Sequence, residues 1–231
     1  MVSNARLNRS DEYVASPPLF QYAGVWFNGS GASYLEEILA KALSKQEDKV
    51  RLTAIDWQDA ALEAIGEQGV SGIAVEPLAR RMGVTKGSFY WHYPNREALL
   101  AATLERWEKQ ECAAFEKDFF AVDQPRERMA EVFRRTQREV QSHVIFCALF
   151  KAVDLPAVGA VMQRVSDHRI TLLARGFQNL GLEPADAMKR AQLAYLSYVG
   201  FLQYYQSFKE ARMPPAELSD YIEHVIETVI P

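Results

Sequence analysis

Lys86, Gly87, Ser88, Tyr90, Trp91 and His92 lie side by side in a stretch that carries no carboxylate. From Pro77 to Arg96 there are four cations (Arg80, Arg81, Lys86, Arg96) and no Asp or Glu. Cations and hydroxyls grouped this way neutralise phosphates and reach base edges, so the chemistry they suit is that of double-stranded DNA. The small Gly87 and Ser88 let a backbone approach a groove closely. The stretch also has no continuous apolar face of the kind a purely structural helix needs. Arg80, Thr85, Lys86, Gly87, Ser88, Tyr90, Trp91, His92 and Arg96 are therefore the candidate DNA contacts. Phe89 is expected to point into a core instead.

Local signals say what must position these groups. Val75, Leu78, Ala79 and Met82 recur at helical spacing and mark a short helix. Gly83 follows it, suited to the left-handed conformation at a helix C-terminus, and Thr85 is an N-cap type for a second helix. That helix, Lys86–His92, must be short, because Tyr93 precedes Pro94 and a residue before proline is pushed out of the helical region. Two short helices about a Gly-containing turn read as a helix-turn-helix. Upstream, Asp56 is expected to open a helix with Trp57, Ala61, Ala64 and Ile65 as its buried stripe and Gly69 as its stop. Downstream, Asn95 caps a long fourth helix through Leu99, Leu100, Thr103, Leu104, Trp107 and Phe115.

Taken together, Leu78-Ala79, Gly83 to Tyr90, His92-Tyr93 and Asn95 to Leu99 resemble the DNA-binding signature of the TetR (tetracycline-repressor-like) family. The resemblance covers about residues 55–104. Three positions depart from the family pattern. Ala74 stands where Ser or Thr commonly caps the first helix of the motif and touches a phosphate. Pro77 lies in the first turn, where proline is tolerated. Arg96 stands where Lys is commonest, which keeps a charge for phosphate. The resemblance implies an all-α protein: a three-helix helix-turn-helix DNA-binding domain (51–97), then a larger helical effector-binding and dimerisation domain (98–231). It further implies a homodimer on a palindromic operator, a repressor released by a small molecule, and a fourth helix that links the DNA-reading head to the effector domain. A Cys-His nucleophile would need an elbow or oxyanion-type Gly motif that the sequence does not offer, so no catalytic residue, enzyme activity or cofactor is expected.

With 231 residues and 48% hydrophobic composition, the chain can bury a substantial core. The net charge of −4 argues against DNA only if charge is spread evenly, and the local field of the motif outweighs the total. Cys112 and Cys147 make no disulfide framework and nothing reads as a signal peptide, so a cytoplasmic location is expected. The longest uncharged stretch, Ala191–Phe208, holds three Gln, two Ser and four Tyr, and reads as a buried or interface helix rather than a membrane span. Cys112, His143, Cys147 and His168 lack the spacing of a metal site, so none is expected.

Residues 1–50 form an N-terminal extension. Within it, Ser33 and Glu36 make a capping box ahead of an amphipathic helix over about 34–46. That helix reads either as a brace for the head or as translated upstream sequence. Beyond Pro125, helices are expected near Pro125–Ser142, Val144–Val153, Ala157–Asn179, Pro184–Phe208 and Pro215–Val229. Phe115, Phe119, Phe133, Phe146, Phe150, Phe177, Tyr195 and Tyr198 are candidates to line a cavity for an apolar or aromatic effector. Ala194, Ser197, Phe201, Tyr205, Ile222 and Ile226 are candidates for the dimer interface, although periodicity cannot separate interface from core. A second reading keeps the fold but makes it a DNA-bound scaffold whose C-terminal domain binds a protein. A cavity in the larger domain favours the first reading; a filled core beside an exposed apolar groove favours the second.

Overall fold

The computed structural model describes residues 52–135, 140–208 and 213–231; the helix expected over 34–46 lies outside them. All regular structure among the described residues is helical. In chain order it comprises α1 (Ala54–Gln68), a 3-10 turn (Val70–Gly72), α2 (Val75–Arg81), α3 (Lys86–Tyr90), α4 (Arg96–Phe119) and α5 (Pro125–Arg134). There follow α6 (Val140–Phe150), α7 (Pro156–Asn179), α8 (Pro184–Ser207) and α9 (Pro215–Val229).

The first helix starts at Ala54, two residues before the expected Asp56, because Thr53 is its N-cap. The Asp56 N–H donates to Thr53 Oγ1 at 3.3 Å and the Thr53 N–H donates to Asp56 Oδ2 at 2.6 Å. This reciprocal pair satisfies two donors that the helix itself cannot. The Thr53 N–H holds the Asp56 carboxyl below the usual aspartate range. Gly69 stops α1 at φ 75°, and the turn after it folds back against α1 so closely that a Cβ on Gly72 would lie 2.8 Å from Gln68 Cβ.

Ala74 is the N-cap of α2 and supplies no side-chain bond, as its methyl group dictates. Gly83 takes φ 68° in the turn, and Thr85 sits at the N-cap of α3 without using its hydroxyl as a cap. The expected helix Lys86–His92 is corrected to Lys86–Tyr90. His92 and Tyr93 both donate their N–H to Phe89 O, and Tyr93 turns into the core, where its hydroxyl donates to Ala54 O and accepts from Gln58. Phe89 is fully buried edge-on against Trp57, 5.2 Å between ring centres.

Asn95 caps α4 by accepting the Ala98 N–H at 2.8 Å. With 24 residues, α4 is about 36 Å long. It packs against α1 and against α5 and α7, and α7 and α8 form the most extensive helix pair. Prolines begin α5, α7, α8 and α9, where the missing N–H costs nothing. Helix α5 spans Pro125–Arg134 rather than the expected Pro125–Ser142, and α6 (Val140–Phe150) carries His143 into the interior. Helix α6 packs on α1 on one side and on α7 and α8 on the other. Helix α9 lies on α5, tied by Arg134 to Glu223 at 2.7 Å.

Candidate nucleic-acid interface and interior cavity

Phe89 anchors α3 from beneath, so the rest of the helix is presented outward. Thr85, Lys86, Gly87, Tyr90 and Trp91 are exposed, and Ser88 and His92 are half-buried. Trp91 is 88% exposed, an unusual position for a large aromatic ring. The structure thus brings Thr85, Lys86, Gly87, Ser88, Tyr90, Trp91 and His92 together on one surface. Arg80 is exposed beside it on α2, and its charge also acts on the Glu76 carboxylate.

Two cations behave differently from the sequence expectation. Lys86 Nζ is hydrogen-bonded to the Glu76 carboxylate, which this contact holds below its usual range. Glu76 lies just outside the carboxylate-free stretch, so the sequence window hid it. Arg96 was expected on phosphate. Instead its Nε donates to Ile73 O at 2.6 Å and one terminal nitrogen donates to Val70 O at 2.8 Å. It clamps the 3-10 turn to the start of α4, because those carbonyls end a turn with no helix to receive them. Arg81 likewise points away from α3, in a bidentate pair with Glu67 at 2.7 and 2.8 Å.

A cavity of about 50 Å³, counted as room for the centres of water molecules, lies among α4, α5, α6, α7 and α8. Of the eight aromatic candidates, Phe115, Phe133, Tyr195 and Tyr198 line it. Phe146 stands behind the wall, its ring centre 5.2 Å from the Arg169 guanidinium, and Phe150 packs on the far side of Phe146. Phe119 and Phe177 are corrected to plain core. Phe119 is buried next to Met129 and Gly176, and Phe177 is fully buried.

The sequence reading missed the polar lining: Arg135, His143 and Arg169. Arg169 is paired with Glu111 at 2.5 Å, and Arg135 with Asp118 at 3.0 Å. A signal for the first pair was present. Arg169 occupies an apolar-stripe position of α7 (Val158, Met162, Val165, Arg169, Leu172), and Glu111 one of α4 (Leu104, Trp107, Glu111, Phe115). Opposite charges at stripe positions of two helices are the pattern of a buried pair. The Tyr195 hydroxyl is 2.8 Å from Ser166 Oγ, and burial pushes the Tyr198 phenol up to about 12.

Among the interface candidates, Ala194, Ile222 and Ile226 are buried within the chain itself. Phe201 and Tyr205 are half-buried: Phe201 stacks on Tyr221, and Tyr205 donates to Met213 O at 3.0 Å. Only Ser197 is open. The exposed apolar row of α8 is instead Leu193, Leu196 and Tyr204, with open space beside Gly200. Among the described residues, no three potential metal ligands come together and no helix is long and apolar enough to cross a membrane.

A short helix held from below by one aromatic ring, outward-facing over its polar residues and preceded by a glycine turn, defines a helix-turn-helix protein. Residues 59–103 match the family model described as bacterial regulatory proteins, tetR family. The regulator SrpR of Pseudomonas putida is 36% identical over 66 residues, which is 29% of this chain and 30% of that protein. The match therefore spans less than a third of SrpR. The regulator AcrR of Shigella flexneri is 26% identical over 188 residues, covering 73% of this chain and 85% of its own. The crystal structure of reduced Escherichia coli NemR superposes with a TM-score of 0.64 at 18% identity, over 77% of this chain and 97% of that one. Residues 59–103 therefore make up a helix-turn-helix domain of the kind found in the TetR family of bacterial regulatory proteins.

Proposed function

We propose that this protein is a ligand-responsive DNA-binding regulator, a repressor that grips a palindromic operator as a homodimer and lets go when a small molecule enters its interior cavity. The observation that carries this reading is the outward polar face of α3. Lys86, Tyr90 and Trp91 are exposed and Ser88 and His92 half-buried, while Phe89 fixes the helix on the core. On DNA, α3 enters the major groove; Arg80 and Thr85 meet phosphates, and Lys86 exchanges Glu76 for the duplex. Arg96 acts as the clamp that keeps α4 and the 3-10 turn in register.

A second copy meets this one along the exposed apolar row of α8, with Gly200 allowing close approach. Two heads then read half-sites about 34–36 Å apart. The cavity supports the ligand-responsive reading over the scaffold, because a cavity lined by aromatic rings and a few polar groups is what a small molecule needs. Helix α6 supplies a route for coupling. It carries His143 to the cavity wall and packs on α1 of the head, so an occupant that displaces α6 also moves the head. Such a regulator works beside the chromosome, in the cytoplasm.

The test is selection of bound fragments from genomic DNA by the full chain at fixed salt, repeated with Lys86→Ala. A short palindrome enriched by the natural sequence and weakened by the variant is the expected result. Enrichment without a palindrome would overturn the operator reading.

A further inference from the structure

The polar groups on the cavity wall are Arg135, His143, Arg169, Tyr195 and Tyr198, and among the described residues no carboxylate lines it. The nearby acids Glu111 and Asp118 are engaged by Arg169 and Arg135 from outside the lining. The Arg169 guanidinium brings five N–H donors in a fixed fork, more than the Glu111 carboxylate can receive. On Arg169, which is buried, Nε has no hydrogen-bond partner among the described residues. The Tyr198 hydroxyl makes no hydrogen bond among them either, and burial keeps both Tyr195 and Tyr198 protonated, hence able to donate. The wall is therefore rich in unused donors and poor in acceptors. A buried donor without a partner is costly, and an ionised acceptor relieves it best.

Size narrows the ligand further. The cavity of about 50 Å³ is smaller than the roughly 150 Å³ that holds benzene in an engineered apolar cavity, so one ring is the upper bound on the occupant and its entry must displace part of the lining. Phe115, Phe133 and Leu173 supply apolar walls for the ring.

Resting on the effector reading above, we infer that the molecule this cavity takes is a single-ring aromatic acid, its carboxylate on Arg169 and Tyr198 and its ring between Phe115 and Phe133. The anion adds to the Glu111–Arg169 pair rather than displacing Glu111, because Glu111 engages the terminal nitrogen and leaves Nε open. A cation of the same shape would face two guanidinium groups. A neutral amide carbonyl could accept the same N–H but would bring no opposite charge to the guanidinium.

The experiment is calorimetric titration of the full chain with three isosteric probes: benzoate, benzamide and benzylammonium. Benzoate is expected to bind at least about tenfold more tightly than benzamide, with benzylammonium the weakest. Tyr198→Phe keeps the ring and the fold; it should weaken benzoate severalfold and leave benzamide unchanged. The paired change Glu111→Gln with Arg169→Gln orphans no buried charge and should abolish the preference for the acid. Benzamide binding as tightly as benzoate, or benzylammonium binding more tightly, overturns the anionic class and leaves the effector reading standing. Failure of all three to bind at millimolar concentration overturns both. An unchanged benzoate affinity in Tyr198→Phe removes that hydroxyl from the site.

Discussion

Arg96 offers the sharpest separation of a structural role from a DNA-contacting one. Arg96→Ala removes two charge-assisted hydrogen bonds, to Ile73 O and Val70 O, and leaves Val70 O only the long bond from the Ile73 N–H at 3.3 Å. Bonds of this kind contribute about 1.5–3 kcal/mol each when fully buried. The Arg96 side chain is 35% exposed, so water partly replaces what is lost and about 1 kcal/mol per bond is the appropriate scale. The weak exposed contact to Glu97 at 3.7 Å adds little. A total near 2 kcal/mol corresponds, for a chain of this size, to a fall in Tm of about 4–8 °C. Thermal unfolding of the full chain measures it, with Arg96→Lys as a control that keeps the charge but cannot span both carbonyls. The same variants are then titrated onto DNA over a salt series. A clamp predicts lower Tm with an unchanged salt slope. Unchanged Tm with a slope reduced by about 0.9 would mean that Arg96 neutralises a phosphate, and the reasoning would be refuted.

Other consequences follow from the same geometry. Glu76→Gln frees Lys86 and should tighten DNA binding at low salt, whereas Lys86→Ala should weaken it and lower the salt slope by about one; fluorescence anisotropy reads both. Because the folded Asp56 carboxyl is held below its usual range, its stabilising contribution is complete above the ordinary aspartate value and disappears as pH falls through the lowered one. The stability gap between the natural chain and Asp56→Asn should thus be constant near neutrality and close below about pH 4 in denaturant titrations. Gly176→Ala places a Cβ 2.1 Å from Met129 Sδ and 3.2 Å from Phe119 Cε2 in a filled core, so it should cost about 1–3 kcal/mol in urea unfolding. Leu196→Asp, on the exposed row of α8, should leave the far-ultraviolet circular dichroism unchanged and shift sedimentation from dimer to monomer; a dimer that persists would place the interface elsewhere.

Local order was legible in the chain because helices and caps depend on neighbours within a turn or two. Gly69 and Gly83 at positive φ, Asn95 accepting the Ala98 N–H, Phe89 pointing inward and prolines in the first turns of α5, α8 and α9 could all be anticipated from residue type and spacing. What escaped were contacts between residues distant in sequence. Arg96 finds Val70 across 26 positions, and Arg169 finds Glu111 across 58. No short window contains such partners. The same limit assigned Ala194, Ile222 and Ile226 to an interface. A helical period shows that an apolar face exists, but only the neighbouring helices determine whether that face is already covered. Sequence alone therefore determined most of the helices and the helix-turn-helix motif. Tertiary structure decided which cations remain available to DNA, which aromatics line the cavity rather than fill the core, and that the cavity wall carries charge. Those outcomes depend on side chains that meet only once the chain has folded.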